Sequence, residues 1–258
     1  MGPKNVISVL ILFFINLINY MDRFTIAGVL EDVKKFYNLD DKWAGLLQTS
    51  FIVSYMITAP VFGYLGDRWP RKYIISGGVL FWSLTTYLGS VIPDSSPGWF
   101  FLMRALVGVG EASYSTIAPT IIADLFINEM RTRMLALFFF AIPVGSGLGY
   151  VVGSRVAGAL GQWQWALRVT PGLGIASVLL CLFVLEEPER GQSEGAVDMH
   201  QHGVEDDLKY LATNRSYIWS TAGFTSVSFA TGALAWWAPI YMEYAYAVAG
   251  DTETKSET

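Results

Sequence analysis

Long apolar stretches alternate with short polar connections along most of this chain. About 20 consecutive apolar residues are enough for a helix to cross a bilayer. Because the connections are short, neighbouring helices must run antiparallel, and the pattern predicts an all-α bundle that crosses a membrane several times. The predicted spans lie at residues 6–30, 43–65, 73–92, 99–126, 134–158, 166–186 and 216–243.

A longer polar stretch, residues 187–215, separates the sixth span from the seventh. It contains few large apolar side chains, which is typical of a flexible linker. The predicted organisation is therefore a six-helix domain at residues 1–186, the linker, one further transmembrane helix at 216–243 and a polar tail at 244–258.

Composition favours a membrane protein and excludes several other classes. Hydrophobic residues occupy 53% of the positions and charged residues only 15%, whereas soluble proteins carry about 25% charged residues. The net charge of −5 and the scattered basic residues exclude a nucleic-acid partner. One cysteine, Cys181, and two histidines in the linker, His200 and His202, predict no metal and no cofactor. We expect no enzymatic activity, because no nucleophile–base pair is evident.

The distribution of lysine and arginine predicts the orientation. Nine of these residues flank one side of the predicted bundle and five the other, and cytosolic loops are the more basic ones. The N-terminus is therefore predicted to be cytosolic, which excludes a G-protein-coupled receptor. The residues on the more basic side are Lys4, Arg68, Arg71, Lys72, Arg131, Arg133, Arg190, Lys209 and Arg215.

Charged residues inside the predicted spans are candidates for function, because a charge at membrane depth costs about 2.5–3.5 kcal/mol on insertion scales. Asp22 and Arg23 lie in the first span, and Arg104 and Glu111 in the fourth. Arg104 and Glu111 are seven residues apart, which places them on one helix face about 10 Å apart along the axis. Either carboxylate, Asp22 or Glu111, is a candidate proton carrier. The alternative is that these charges only pair across helices and hold the bundle together.

Small residues around these charges allow a ligand or a helix to approach closely. The same face of the fourth span carries Gly108 and Gly110, and Ser113 follows. We take Ser113 as a predicted substrate contact, together with Tyr20 in the first span. The combination predicts a water-accessible central cavity.

The connection after the second span predicts a gate. Gly63 and Gly66 end the helix, and Asp67, Arg68, Arg71 and Lys72 follow within six residues. Ion pairs from such a cluster to neighbouring helix ends can hold one face closed, although a plain basic loop would look the same.

Glycines in the fifth span, Gly145, Gly149 and Gly153, repeat every four residues. They predict close packing, either between moving halves of the protein or within an ordinary helix pair. A short internal echo, Thr25–Ala27 against Thr116–Ala118, fits a repeat of three helices plus three.

Several of these motifs resemble the major facilitator superfamily, and more specifically its Spinster family. The loop Gly63–Lys72 resembles the signature between helices two and three of the superfamily, and Arg104–Ala112 its helix-four signature. The Spinster resemblance lies in Asn19–Arg23, Gly108–Pro119, Phe140–Tyr150, Trp165–Pro171 and Ser226–Leu234.

The resemblance implies a secondary active transporter of lysophospholipids or sphingosine 1-phosphate, coupled to protons in some members. It implies that Arg23 and Arg104 bind the lipid headgroup and that Asp22 or Glu111 carries the proton. It also implies alternating access between two six-helix domains, whereas this chain carries seven predicted spans. The membrane would be endolysosomal or the plasma membrane.

Three alternatives stay open. The chain could transport a different amphipathic organic anion, or it could transport as an oligomer. It could also be a non-transporting shortened form that associates with a full-length relative.

Overall fold

The structure, a computed structural model, describes residues 3–191 and 204–256. All regular elements in this part of the chain are helical. Each of the seven predicted spans corresponds to one long helix, here α1, α3, α4, α5, α6, α7 and α9. The helices are α1 Pro3–Gly28, α2 Leu30–Tyr37, α3 Asp41–Gly66, α4 Arg71–Gly89, α5 Pro97–Leu125, α6 Asn128–Leu160, α7 Ala166–Phe183, α8 Val204–Thr213 and α9 Arg215–Ser256, with a 3₁₀ turn at Trp163–Trp165.

Three segments differ from the prediction. The first connection contains the short helix α2, whose buried residues Leu30, Val33 and Tyr37 recur at helical spacing between charged positions. The predicted linker contains α8, and α9 continues as a helix through residues 244–256 where a polar tail was predicted. Residues 192–203, which include both histidines, lie outside the described residues.

Four helical segments among the described residues are long and apolar enough to cross a membrane by length and composition. The other three predicted spans, α4, α5 and α9, are not among these four. The four segments are Lys4–Gly28, Asp41–Gly66, Asn128–Leu160 and Trp163–Phe183.

The chain divides into two compact units, residues 1–197 and 198–258. In the first unit, Lys4 at the start of α1 pairs with Glu186 after α7 at 2.7 Å. We call this end of the six-helix domain the near end, and the opposite end, where α1 finishes and α7 begins, the far end. In the second unit the described helices are α8 and α9.

Helix packing in the first unit follows a repeat of three helices plus three. In this repeat α1 corresponds to α5, α3 to α6, and α4 to α7. The contact between α1 and α6 then corresponds to the contact between α5 and α3, and the contact between α4 and α5 to that between α7 and α1. The α4–α7 pair is exchanged with itself, and all five of these pairs are in contact. The predicted repeat is therefore present in the packing.

The glycine repeat of α6 packs against α1 within this domain. A Cβ atom at Gly145 or Gly149 would lie 2.6 Å from the carbonyl oxygen of Leu17 or Met21, which is closer than real Cβ contacts. Glycine is therefore required for the backbones to approach this closely. This is packing of an ordinary helix pair inside one domain, and not an interface between moving halves.

Candidate functional site

Four charged side chains from α1 and α5 are withdrawn from solvent inside the six-helix domain. Asp22 and Glu111 are fully buried, and Arg104 is 3% exposed. The Arg23 side chain is 18% exposed, so it is the most accessible of the four. The two acids and two bases balance in charge. We call these four residues the charged cluster.

Arg23 and Glu111 form an ion pair between α1 and α5. The Nη2 and Nε atoms of Arg23 donate to the same oxygen, Oε2, of Glu111 at 2.6 and 3.2 Å. The guanidinium also lies 4.8 Å from the ring centres of Tyr20 and Phe51 and 5.5 Å from that of Tyr55. Cation–π contacts of this kind are stronger when water is excluded, so the rings help to hold Arg23 in place.

Asp22 is held by hydroxyl groups from two other helices. Thr86 on α4 donates to Oδ2 at 3.1 Å, and Thr170 on α7 donates to Oδ1. Both hydroxyls are buried. Asp22 therefore ties α1 to α4 and α7 at the depth of the charged cluster.

Arg104 is different, because none of its three side-chain nitrogens has a hydrogen-bond partner among the described residues. It stacks 5.5 Å from the Phe51 ring and lies within electrostatic range of Asp22 and Glu111. Oxygen Oε1 of Glu111 is also unpartnered, as are both polar atoms of Asn19, one turn before Asp22 and Arg23 on α1. Buried polar groups are normally satisfied. This site therefore holds unused hydrogen-bonding capacity for a polar ligand.

The remaining predicted substrate contacts lie in different surroundings. Tyr20 covers the Arg23 guanidinium. Ser113 is fully buried, donates to the Gly110 carbonyl at 2.8 Å, and packs against Gly78 of α4, where a Cβ would lie 1.6 Å from its hydroxyl oxygen. The structure does not bring Ser113 into the charged cluster.

Sequence reasoning missed the partners Thr86, Thr170, Phe51 and Tyr55. Hydroxyl groups are frequent in α4, and aromatic residues are frequent throughout the chain. Neither type of residue gives a distinct signal before the helices are placed beside each other.

A second polar cluster lies at the near end. Arg71 is 3% exposed; it pairs with Asp124 at the end of α5 at 2.6 Å and lies 3.7 Å from Glu187 after α7. Glu187 in turn accepts hydrogen bonds from the backbone N–H groups of Arg71 and Lys72 at 2.7 and 3.3 Å. The carboxylate thus caps the start of α4, where a helix favours negative charge.

The same segment after α7 also closes the end of α3. Nη2 of Arg190 donates to the carbonyl oxygens of Gly66 and Trp69 at 3.1 and 2.7 Å, and Nζ of Lys72 donates to the Leu185 carbonyl at 2.9 Å. The α3–α4 connection is therefore attached to the chain that leaves α7.

The predicted gate also contains Arg68, Asp67, Gly66 and Gly63. Arg68 stacks 3.6 Å from the Tyr64 ring of its own helix, and Asp67 is exposed. Gly66 lies against Ile117, where a Cβ would approach to 2.9 Å, whereas a Cβ at Gly63 would meet no atom within 4 Å. Asp124, Glu187 and Arg190 were missed, because sequence separation hides their proximity.

Comparison with known proteins identifies the fold and the family. The family model of the Major Facilitator Superfamily matches residues 12–250 of this chain. The chain belongs to the major facilitator superfamily. Within that superfamily it is similar to protein spinster homolog 1 of Xenopus laevis, with 59% identity over 93% of this chain and 46% of the relative. It is also similar to protein spinster of Drosophila melanogaster, with 57% identity over 93% of this chain and 39% of the relative.

A bacterial homologue of the human lysosomal transporter Spinster, solved in an inward-facing and unoccupied conformation, has the same fold. The TM-score is 0.74 at 22% identity, covering 92% of this chain and 55% of that chain. The predicted fold class and Spinster resemblance are confirmed. This major facilitator chain spans about half the length of the curated relatives it matches, and its six-helix unit is the N-terminal domain of the superfamily.

Proposed function

We propose that this chain supplies the N-terminal half of a secondary active transporter for lysolipids, either lysophospholipids or sphingosine 1-phosphate. The observation that carries the proposal is the charged cluster, in which a buried arginine, Arg104, has no hydrogen-bond partner in the described part of the chain. A phosphate group would satisfy it with strong charge-assisted hydrogen bonds. The similarity to Spinster proteins supports the lipid class.

The different exposure of the two arginines supports different roles for them in our proposal. The Arg23 side chain is 18% exposed and would meet the headgroup first. Arg104, at 3% exposure, would gain access only as the helices separate around the substrate.

Proton coupling is assigned to Glu111, with Asp22 as the alternative. Glu111 has one oxygen without a partner in the described residues, while both oxygens of Asp22 accept hydrogen bonds from threonine hydroxyl groups. Protonation of Glu111 would weaken its hold on Arg23 and free that cation for the substrate. This order of events would link proton uptake to headgroup binding.

The near-end cluster around Arg71 is proposed as the gate, and the near end is proposed to face the cytosol. Its ion pairs and helix caps join the α3–α4 connection, the end of α5 and the segment after α7. An opening motion at this end would have to break some of them. The membrane would be endolysosomal or the plasma membrane.

Uptake of labelled lysophosphatidylcholine and sphingosine 1-phosphate into vesicles tests the proposal, with and without a pH gradient. The vesicles would contain this chain alone, or this chain with the C-terminal half of a Spinster relative. We expect Arg23→Ala and Arg104→Ala to abolish uptake and the matched surface variant Arg133→Ala to retain it, because the Arg133 side chain is 69% exposed. Normal uptake by both cluster variants would refute the proposed site.

A partner in the membrane is the second proposal. The described part of α9 exposes large apolar side chains, including Phe224 at 75%, Phe229 at 80% and Leu234 at 68%. A second copy of this chain or a full-length relative would cover such a surface. Co-purification with differently tagged copies and with a full-length relative tests this, and a partner-free monomer active in uptake would contradict it.

A further inference from the structure

A cavity of about 940 Å³ opens at the far end of the six-helix domain, away from the charged cluster. Its walls come from α2, the α4–α5 connection, the end of α6 and the start of α7. Ligand pockets usually measure about 300–1,000 Å³, so this cavity is large enough for a lipid headgroup and the first part of a chain.

Arg168 provides a fixed cation in the cavity wall. Its Nε atom donates to the Ser90 hydroxyl at 3.0 Å and its Nη2 atom to the Ser90 carbonyl oxygen at 3.3 Å. The guanidinium also lies 4.6 Å from the Trp165 ring centre. These contacts leave Nη1 without a hydrogen bond to the described residues. A guanidinium held in this way is oriented before a ligand arrives, which reduces the entropic cost of binding.

Lys35 provides a second cation from α2. It lines the cavity, is exposed, and forms no ion pair within residues 3–191 and 204–256. The neighbouring Lys34, in contrast, is occupied by Glu31 and Asp41 at 2.8 and 2.7 Å. Asp32 is the only acid among the lining residues, so the cavity carries an excess of positive charge.

The rest of the wall is partly apolar. Phe36, Val91 and Ile92 also line the cavity, with Phe36 36% and Val91 51% exposed. This region lies where α1, α4 and α6 end, which for membrane-crossing helices is the level of the lipid headgroups. A phosphate beside Arg168 and Lys35 would therefore leave an attached chain next to apolar side chains.

We propose that the far-end cavity is a binding site for a phosphate-bearing lipid, separate from the charged cluster. Arg168 and Lys35 bind the phosphate, and Phe36, Val91 and Ile92 contact the first methylene groups of the chain. The site does not depend on the transport proposed above, because none of its residues belongs to the charged cluster. A resident membrane lipid or a transported one would bind through the same contacts.

Photo-crosslinking of the full chain in detergent micelles tests this site directly. The probe is a lysophosphatidate with a diazirine near the headgroup, and the labelled peptides are mapped by mass spectrometry. We expect labelling of residues 90–93 or 157–164. Removing one charge-assisted hydrogen bond costs roughly 10-fold or more in affinity, so Arg168→Gln and Lys35→Gln should each lower the labelling at equal probe concentration by about that factor.

Lys42→Gln is the matched control, because Lys42 is an exposed lysine at the same end and is outside the cavity lining. It should label like the unmodified chain. Lys35→Gln keeps the test valid if Arg168→Gln fails to fold, since Lys35 has no ion pair to lose within the described residues. Unchanged labelling in Lys35→Gln and Arg168→Gln, or labelling outside these segments only, would overturn the proposal.

Competition separates the chemical sources. Unlabelled lysophosphatidate should displace the probe, while monoacylglycerol, which lacks the phosphate, should not at the same concentration. Equal displacement by monoacylglycerol would overturn phosphate recognition. Displacement by inorganic phosphate as effective as that by lysophosphatidate would overturn the lipid assignment and leave a site for free phosphate.

Discussion

Arg23 on α1 donates both of its hydrogen bonds to one oxygen of Glu111 on α5, at 2.6 and 3.2 Å. The second oxygen of that carboxylate has no partner among the described residues. Arg104, seven residues earlier on α5, presents a second guanidinium that is also unpartnered. The carboxylate thus pairs with Arg23, while Arg104 on the same helix as Glu111 makes no hydrogen bond to the described residues. Breaking or exchanging this pair has consequences for stability that can be measured.

Glu111→Gln should destabilise the protein strongly. The substitution leaves the buried Arg23 and Arg104 guanidiniums with less compensating charge, and removing one partner of a buried pair costs about 3–5 kcal/mol. Thermal unfolding in detergent would measure the loss. Glu129→Gln is the control, because Glu129 is 87% exposed in an i,i+4 pair with Arg133 and should change stability by less than about 1 kcal/mol. Equal melting temperatures for the two variants would contradict the buried pair.

Arg23→Met should cost more stability than Arg104→Met. Both changes replace a largely buried guanidinium by a side chain of similar length. Arg23, however, loses two charge-assisted hydrogen bonds and three aromatic contacts, whereas Arg104 loses no hydrogen bond to the described residues. Hydrogen bonds to charged groups contribute about 1.5–3 kcal/mol, so denaturant unfolding should separate the two variants by at least that amount. The reverse order would argue against the observed pairing.

Glu187→Ala should release the start of α4. The carboxylate satisfies the backbone N–H groups of Arg71 and Lys72, and the loss of a helix cap costs about 0.5–2 kcal/mol. Hydrogen exchange at residues 71–74 should become faster. Glu189→Ala is the matched control from the same segment, since Glu189 is exposed and makes no hydrogen bond to the described part of the chain. Unchanged exchange in Glu187→Ala would rule out the cap.

Gly149→Ala should destabilise the α1–α6 pair, while Gly147→Ala should not. A Cβ at Gly149 would lie 2.6 Å from the Met21 carbonyl oxygen, whereas a Cβ at Gly147 would meet nothing within 4 Å. In an open helical position, alanine is favoured over glycine by about 1 kcal/mol. The melting temperature should therefore fall for Gly149→Ala and rise for Gly147→Ala, although the two glycines are only two residues apart. A shift in the same direction for both variants would contradict the packing.

The free energy of unfolding should decrease as the pH rises from about 10 to about 12, because of the shifted pKa of Tyr37. Burial, with a smaller contribution from Asp94, raises the pKa of Tyr37 from 10.0 to about 12. The unfolded chain therefore loses this proton first, and stability decreases where the unfolded state binds fewer protons. Tyr37→Phe removes this contribution, although it also loses the hydrogen bond from the hydroxyl to the Ile92 carbonyl at 3.0 Å. The stability difference between the two proteins should shrink over this pH interval, and a constant difference would contradict the pKa.

The sequence was sufficient to locate the long helices and the buried charges. The predicted second span, residues 43–65, is close to the observed Asp41–Gly66, because length and hydropathy are properties of a single helix. The short helix α2 was missed because Glu31, Asp32, Lys34 and Lys35 give its sequence the polarity of a loop.

The pairing inside the charged cluster could not be predicted from the sequence. Asp22, Arg23, Arg104 and Glu111 were identified by the cost of burying them, but that cost does not tell which arginine holds Glu111. The choice depends on the rotation of α1 against α5. The Thr170 contact to Asp22 likewise spans 148 positions in the sequence and exists only once α7 lies beside α1.

The exchange between the two three-helix sets has a further consequence for how the protein enters the bilayer. Three is an odd number of crossings, so the second set runs through the bilayer in the opposite sense to the first. A domain built in this way has nearly the same helix arrangement when it is viewed from either side of the membrane. The packing of its interior therefore favours neither orientation strongly. The topology is then set by the balance of basic residues in the connections at the two ends, since cytosolic loops are the more basic ones. We therefore expect that moving the excess of basic residues from one end of the domain to the other would invert the domain in the membrane.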